Sequence, residues 1–327
     1  MRSIPQTALA LVFTAPVLAA GDLNVSVESG GSNSISVNPG ATVNYQVVGE
    51  LTDLLNEGLG AVLFDLSFDG GPLTQADAPI AGNMLHFTDP MGLSNPAGFG
   101  GTVVGGNLIQ VGGAQNTFNN GFTAELSGAV APGVAWLGSP EVLATGSFKA
   151  PLVPGTYTLS LTNLLANQIR QGEPSPSFWA VDEAPAGTID DLTVTVLEVF
   201  SADVPTVSVG SGGTQSWLLD AGAANAGRNY WVFGSLSGTS PALPIGSVCL
   251  PLFVVDPYFN FTVNNPNTLP LVNSLGVLDG SGQQAAAAFS IPPGTNPVLV
   301  GQTVHHAYLL GPALDFASNA VSLTFLP

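Results

Sequence analysis

The residues best suited to metal or acid–base chemistry in this chain are its three histidines, His86, His305 and His306. A zinc site needs three or four ligands at workable spacing, and the sequence has no Cys/His cluster or His-Glu-x-x-His motif. His305 and His306 lie in a strand-like run, so their side chains are expected on opposite faces. We therefore expect one to be partly buried, the other to be exposed, and no ion to be shared between them.

Carboxylates are the next candidates, because glycoside hydrolysis uses two acids on facing elements. The adjacent pairs are Asp182-Glu183 and Asp190-Asp191. Neighbours on a strand point to opposite faces, so each pair is a poor catalytic dyad, and solvated surface acids are the better interpretation. No nucleophile elbow, phosphate-binding loop or dinucleotide motif is present. The sequence thus predicts no catalytic residue and no enzyme.

Calcium is the one cofactor that stays open as an alternative to no cofactor at all. Oxygen ligands are plentiful, with 22 Asp and Glu residues, but the Asp-x-Asp-x-Asp-Gly loop is absent. The stretches Asp69-Gly70-Gly71 and Asp279-Gly280-Ser281-Gly282 are more simply turns. We expect no metal site.

Aromatic side chains remain as candidates for ligand binding. Flat exposed rings stack on sugars, whereas buried rings fill sandwich cores, and core or loop packing is the alternative at every position. Tyr230 and Trp231 are adjacent in a strand-like run, so they cannot both face inward. The candidate ligand-binding residues are Trp136, Phe178, Trp179, Tyr230 and Trp231.

Composition narrows the class of protein. Of 327 residues, 45% are hydrophobic and only 8% charged, while 40 glycines and 26 prolines supply many turns. This pattern favours an all-β protein over a coiled coil or a charged disordered chain. Four basic residues against 22 acidic ones give a net charge of −18, which excludes a nucleic-acid partner. Cys249 is the only cysteine, so stability must come from packing rather than an internal disulfide.

The N-terminus is expected to be a signal peptide over residues 1–20. Arg2 precedes the apolar run Ala8–Phe13, and Val17-Leu18-Ala19-Ala20 offers a small-residue cleavage site. A buried N-terminal helix is the alternative. The apolar run is too short to span a bilayer, and no later stretch is long enough. We expect a bacterial protein that is secreted or held at the cell surface after cleavage near Ala19/Ala20.

Strand patterns fill the rest of the chain and divide it into two parts. Alternating or β-rich runs predict strands at 42–48, 61–68, 142–148, 156–161 and 192–197, and Asp53–Leu59 is the best candidate for a short helix. Acidic charge falls sharply after Phe200. A strand, a glycine turn and a later inward tyrosine recur in both parts, at Tyr45 and Tyr230. We predict domains at 21–200 and 206–327 joined by a linker at 201–205.

The first part resembles the cohesin family. Glu141–Lys149, Gly155–Leu161 and Ile189–Val196 are similar to the closing strands of a cohesin domain, and Val37–Val43 and Ala61–Asp69 match earlier pieces in the same order. The resemblance implies a jelly-roll β-sandwich with a binding role. From the residues themselves, the Gly- and Asn-rich stretch 70–133 is the expected home of a binding surface.

The second part resembles a C-terminal module that recurs in secreted bacterial proteins. The matching stretches include Leu219–Gly222, Asn229–Val232, Gly234–Pro244, Asn264–Thr268 and Val304–Tyr308. That module implies no activity, and it supports export only. We expect an immunoglobulin-like or similar sandwich here.

Together these observations predict an all-β, exported, non-catalytic binding or structural protein of two β-sandwich domains. Its partner would be an extracellular protein or a polysaccharide, with oligomeric state left open. Two alternatives remain: a secreted glycan-active enzyme or accessory carbohydrate-binding subunit, and a self-assembling envelope component.

Export with cleavage is directly testable. Mass spectrometry of the protein recovered from culture medium should show a mature chain that starts at Ala20 or Gly21, because signal peptidase cuts after small residues at −3 and −1. An intact Met1 on protein confined to the cytoplasmic fraction would contradict the prediction.

Overall fold

The computed structural model describes residues 22–52, 56–82, 98–114, 140–174 and 179–327. The predicted signal peptide lies outside them. No helix in these ranges is both long and apolar enough to cross a membrane.

Among the described residues of the first half, the structure has strands and one short 3-10 helix at Gln75–Asp77. Period-2 alternation is clearest in β1 and β12, where every second side chain is buried. The strands are β1 (Leu23–Glu28), β2 (Ser34–Val37), β3 (Thr42–Leu51), β4 (Asn56–Phe68), β5 (Ile80–Ala81), β6 (Thr102–Val104), β7 (Asn107–Ala114), β8 (Glu141–Lys149), β9 (Gly155–Pro174), β10 (Trp179–Ala184), β11 (Ala186–Asp190) and β12 (Leu192–Val196).

These strands form two packed sheets. A five-stranded sheet has the order β11-β1-β3-β8-β5, and a seven-stranded sheet has the order β2-β12-β9-β4-β7-β6, with β10 paired to β9. The pairings of β1 with β11 and of β2 with β12 are parallel. Inward side chains from both sheets build one hydrophobic core, which includes Val47 of the five-stranded sheet and Phe64 of the seven-stranded sheet. The outer face of the five-stranded sheet does not take part in this core, so polar side chains can lie there.

The second half is again strand-rich. Two further 3-10 helices lie at Ala223–Asn225 and Pro297–Leu299, and one α-helix, α1, spans Pro257–Asn264. The strands are β13 (Phe200–Ala202), β14 (Thr206–Ser208), β15 (Gly213–Asp220), β16 (Asn229–Ser235), β17 (Leu243–Ile245), β18 (Val248–Leu250), β19 (Leu271–Val272), β20 (Leu275–Val277), β21 (Gln283–Ile291), β22 (Thr303–Gly311) and β23 (Val321–Leu326).

A second sandwich results, with its own core. The sheets have the orders β13-β15-β21-β19 and β14-β23-β22-β16-β20, and β17 and β18 form a separate hairpin. The main core lies between the two larger sheets. On their other face, β16 and β22 pack against the hairpin and α1. The side chains of this contact form a smaller apolar cluster, which includes Phe233 and Leu309. Both faces of the five-stranded sheet are therefore covered along these two strands. The all-β prediction is confirmed.

The helix prediction at Asp53–Leu59 is wrong where the structure describes it. Residues 56–59 open the long strand β4, and Leu59 pairs with Gln168 of β9. The helix that does form, α1, has a clear local cause. The Asp256 carboxylate accepts hydrogen bonds from the amides of Tyr258 and Phe259, and Pro257 occupies the first helical position.

The inward tyrosines of the two halves share an unusual packing arrangement. Tyr45 lies opposite Gly146 and Tyr230 opposite Gly276, and a Cβ on either glycine would fall within 2.7 Å of the tyrosine ring or hydroxyl. Each ring crosses the neighbouring strand where no side chain blocks it. Each hydroxyl then donates to a backbone carbonyl, that of Asp77 for Tyr45 and that of Asn273 for Tyr230. Glycine is required in both places because the ring occupies the side-chain position.

The division at 200–206 stays a prediction, but the structure shows what each side of it would contain. Phe200 is fully buried and packs edge-on against Trp217 and Tyr308 in the second core. Asn319 accepts hydrogen bonds from the amides of Val199 and Phe200. Ser201 and Ala202 of the predicted linker, together with Phe200, form β13 and pair with β15. A fragment that contains the whole second core must therefore begin near residue 198.

We expect a fragment of residues 198–327 to unfold cooperatively on its own. A fragment of residues 206–327 should be less stable by at least about 3–5 kcal/mol, the typical cost of removing a buried Phe side chain. Urea denaturation followed by tryptophan fluorescence measures both. Equal stability of the two fragments would show that β13 is dispensable.

Candidate functional site

The outer face of β1 and β3 is polar because the inner face of the same strands is apolar. In β1, Leu23, Val25 and Val27 are buried, so Asn24 and Ser26 point outward. The alternation continues on β3, where Val43, Tyr45 and Val47 are buried. Since successive side chains of a strand point to opposite faces, the core pattern determines which side chains solvent meets.

We call this surface the polar face and define it by its outward side chains. Two open cavities lie on it, of about 310 and 470 Å³, and both are lined by Glu28. The two cavities therefore adjoin at Glu28 and together extend across the sheet. The polar face comprises Asn24, Ser26 and Glu28 of β1, Asn44, Gln46, Val48 and Glu50 of β3, Thr145 and Ser147 of β8, and Thr188 and Asp190 of β11.

Hydrogen bonds hold a negative charge at the junction of the two cavities. The Glu28 carboxylate accepts from the Ser26 hydroxyl at 2.6 Å and from the Gln46 amide at 3.4 Å. Glu50 and Asp190 add carboxylates to the smaller cavity. Lys149, at the end of β8, donates to the Thr42 hydroxyl and to the Ser247 carbonyl, which keeps its ammonium at the end of the sheet. The middle of the polar face is thus anionic and partly pre-organised.

The expected binding stretch 70–133 contributes to this surface at one edge. Ala76, Ala78 and Ile80 line the larger cavity. The Ile80 side chain is 69% exposed, and its strand pairs with β8 at Thr145. Ile80 is therefore an apolar contact point beside the polar residues. Residues 83–97 and 115–133 of the stretch lie outside the described residues.

Three of the five predicted ligand-binding aromatics fall where the structure does not describe their side chains. Trp136 and Phe178 lie outside the described residues, and for Trp179 only the backbone, at the start of β10, is described. Their roles stay predictions.

The prediction that Tyr230 binds a ligand needs correction. Its side chain is 1% exposed in the second core, so its ring presents no free face to a sugar. Trp231 points to the opposite face of the sheet, as the sequence predicts for adjacent strand residues. It is half-buried, and its ring centre lies 4.8 Å from that of Phe233. It packs against the smaller core cluster. Its role in binding stays a prediction.

The aspartates considered for calcium stabilise turns and strand ends. Asp279 accepts hydrogen bonds from the amides of Ser281 and Gln283, and Asp69 accepts from the amide of Thr158. Within the described ranges, no three His, Cys, Asp or Glu side chains are grouped to hold a metal ion. The expectation of no cofactor, with calcium as the alternative, stays a prediction.

His306 is enclosed in the second core. It is fully buried, its ring lies 4.6 Å from Trp217 and 5.2 Å from Phe289, and its Nε2 is 2.9 Å from the Tyr258 hydroxyl. Burial, with a smaller contribution from His305, lowers the pKa of His306 to about 3, so the ring is neutral at physiological pH. His305 lies half-buried on the opposite face. His306 therefore has a packing role and is shielded from any reactant.

Comparisons with known proteins give structural neighbours of low similarity. No protein-family model matches the chain, and no curated protein matches it. A non-cellulosomal cohesin from Archaeoglobus fulgidus is 14% identical over 54% of this chain and 91% of its own, with a TM-score of 0.32. A type II cohesin from Acetivibrio cellulolyticus is 10% identical over 53% and 95%, with a TM-score of 0.34.

A third similar structure is the 35 kDa C-terminal fragment of the major pilin GBS80 of Streptococcus agalactiae. It is 10% identical over 90% of this chain and 87% of its own, with a TM-score of 0.30. Cohesin domains are thus among the structural neighbours, as the sequence resemblance led us to expect. The resemblance of the second part to a secreted module stays a prediction.

Burial of neutral His306 makes stability depend on pH. The pKa of His306 is lower in the folded protein than in the unfolded chain, so the unfolded chain binds more protons below about pH 6.5. The stabilisation is complete above pH 6.5. It falls on acidification by up to about 1.4 kcal/mol per pH unit.

We expect the variant His306→Gln, which keeps a polar partner for Tyr258, to have a shallower pH dependence than wild type, whatever its stability at pH 7. Guanidinium unfolding at pH 7.5, 6 and 5 measures this, with His305→Gln as the half-buried control. An unchanged slope in His306→Gln would refute the assignment.

Proposed function

We propose that this chain is an exported, non-catalytic binding protein whose first sandwich docks a protein partner on the polar face. The observation that carries the proposal is the pair of adjoining cavities across β11, β1, β3 and β8, both lined by Glu28. Hydrogen bonds from Ser26 and Gln46 already orient the Glu28 carboxylate, so less side-chain entropy is lost when a partner binds.

The chemistry of the polar face favours a protein over a polysaccharide. Among the outward side chains that define it, none is aromatic, whereas sugar recognition on a sheet uses exposed rings for stacking. Amides, hydroxyls and carboxylates instead match the hydrogen-bonding groups of a polypeptide. Ile80 supplies an exposed apolar contact at the rim. A polysaccharide partner is kept as an outcome of the test below.

The charge of the polar face restricts the class of protein partner further. Glu28, Glu50 and Asp190 lie on the polar face, and the whole chain carries −18. Such a surface attracts a basic partner and repels an anionic one, and salt screens both effects over about 10 Å at 0.1 M. We therefore propose a partner with a basic docking surface. Its association should slow as ionic strength rises.

The non-catalytic part of the proposal is supported by where the described histidines lie. His306 is enclosed in the second core with its Nε2 engaged by Tyr258, and His305 lies in the same strand of the second sandwich. Neither can act as a general base on a ligand bound by the first sandwich. Export rests on the N-terminal sequence alone, with its apolar run and small-residue cleavage site. Self-assembly into an envelope layer is a third outcome that the experiments distinguish.

An exposed residue that lines the larger cavity provides the test. Asn44 is exposed on β3 beside Ser147, and replacing it by arginine adds bulk and positive charge to the polar face. We expect Asn44→Arg to weaken binding of a basic protein by at least about tenfold, because it blocks the surface and cancels part of its charge.

The matched control is Thr162→Arg, an exposed position on β9 in the other sheet of the same sandwich. Surface plasmon resonance against a panel of proteins and glycans measures both variants. One of the similar structures is a cohesin in complex with a dockerin, so a purified dockerin belongs in the panel. Chitosan, xylan and alginate represent cationic, neutral and anionic polysaccharides.

Three results would overturn the proposal. Equal losses in Asn44→Arg and Thr162→Arg would remove the polar face as the docking surface. Binding to polysaccharides alone would change the class of partner. Turnover of any glycan in the panel would make the protein an enzyme.

A further inference from the structure

The second sandwich contains an open cavity of about 450 Å³ that reaches between its two sheets. Phe289 belongs to β21 in one sheet, while Val304 and Phe325 belong to β22 and β23 in the other. All three side chains are buried, with 3%, 1% and 2% exposure. The cavity therefore penetrates the core and is more than a depression of the surface.

Apolar side chains continue from the floor to the mouth of this cavity. Leu269 is 66% exposed and Leu236 is 39% exposed, and both line the cavity. Leu299, in the 3-10 helix Pro297–Leu299, is half-buried and closes one side. An apolar ligand would thus meet apolar contacts from the opening inward.

The polar side chains in the lining are three hydroxyls, and each already has a partner within the fold. The Tyr258 hydroxyl is 2.9 Å from His306 Nε2, and the Ser290 hydroxyl is 2.8 Å from that of Thr214. The Thr295 hydroxyl donates to the Pro292 carbonyl at 2.7 Å. Among the described lining residues none is charged. The cavity therefore offers volume and apolar surface without a directional polar contact.

We propose that this cavity binds an uncharged aliphatic chain, such as the hydrocarbon portion of a lipid, with the polar end of the molecule at the mouth. The volume lies within the range of about 300–1,000 Å³ typical of small-molecule sites. A chain inserted between the sheets restores packing contacts that the lining side chains lack when the cavity holds no ligand.

Two other occupants fit less well. An inserted polypeptide segment would bring backbone N–H and C=O groups, and the engaged hydroxyls of the lining leave these groups unsatisfied. An anionic ligand would bring a charge into an apolar lining that contains no cation, so the charge would lose its solvation without a partner. An uncharged hydrocarbon incurs neither cost. This inference is independent of the polar face, which lies on the other sandwich.

A homologous series of ligands tests the proposal on the full chain. N-phenyl-1-naphthylamine, an uncharged fluorophore, is displaced by 1-alkanols from hexanol to decanol. Each added methylene should tighten binding by about fourfold until the cavity is full, since burying a methylene contributes about 0.8 kcal/mol. The carboxylates of equal chain length should bind more weakly at pH 8. Absence of displacement, or affinities that do not change with chain length, would overturn the proposal.

A pair of neighbouring substitutions tests the location. Leu299→Trp fills the cavity and should weaken decanol binding by at least about tenfold. Val298→Trp is the control, because Val298 is 70% exposed and does not line the cavity. It should stay within about twofold of wild type. If Leu299→Trp fails to give a cooperative melt, Leu269→Trp at the exposed mouth takes its place.

Equal effects in the cavity variant and in Val298→Trp would refute the assignment. A second copy of this chain is the remaining competitor for the cavity. Sedimentation that showed a dimer, lost in the cavity variant while decanol has no effect, would assign the cavity to self-association and overturn the proposal.

Discussion

The register between β1 and β3 determines both the core and the polar face of the first sandwich. Leu23 pairs with Leu51 and Val27 with Val47, and these pairs face the core, whereas Glu28 pairs with Gln46 and faces solvent. A slip of one residue would move every buried side chain to solvent and every polar one into the core. The free energy of burying the inner face therefore also holds the outer side chains in place. The arrangement of the side chains on the polar face therefore follows from the packing of the core.

In the second sandwich, one sheet buries apolar side chains on both of its faces and not on one face alone. Its five-stranded sheet is covered on both faces along β16 and β22, so Tyr230 and Val232 pack in the main core while Phe233 packs in the smaller one. This double burial explains the nearly continuous apolar runs in these strands. It leaves no polar sheet face there comparable to that of the first sandwich. What this half offers a ligand is the gap between its sheets, so the two sandwiches differ in the chemistry of what each can bind.

The sequence alone predicts which side chains of a strand are buried when the strand has one covered face. It does not predict features that depend on which strands lie side by side. The alternation in β3 and β12 correctly separates buried from outward residues, because each strand has one covered face. The sequence does not reveal the polar face, because that surface depends on Asn44 lying beside Ser147, a pairing between distant segments. The sequence predicts Tyr230 as inward by its likeness to Tyr45, but full burial of the ring depends on Gly276 of another strand, which the pattern of β16 does not indicate. Helix α1 had a readable signal, Asp256-Pro257, that the apolar periodicity did not reveal.

The central claim is that the polar face is where a partner binds, and hydrogen–deuterium exchange of the complex tests it most directly. The full chain is compared with and without the tightest-binding basic protein. The account predicts slower exchange in β1, β3 and β8, which carry the polar face, and unchanged exchange in β4 and β9 of the opposite sheet. Protection confined to β4 and β9, or to residues 200–326, would contradict it.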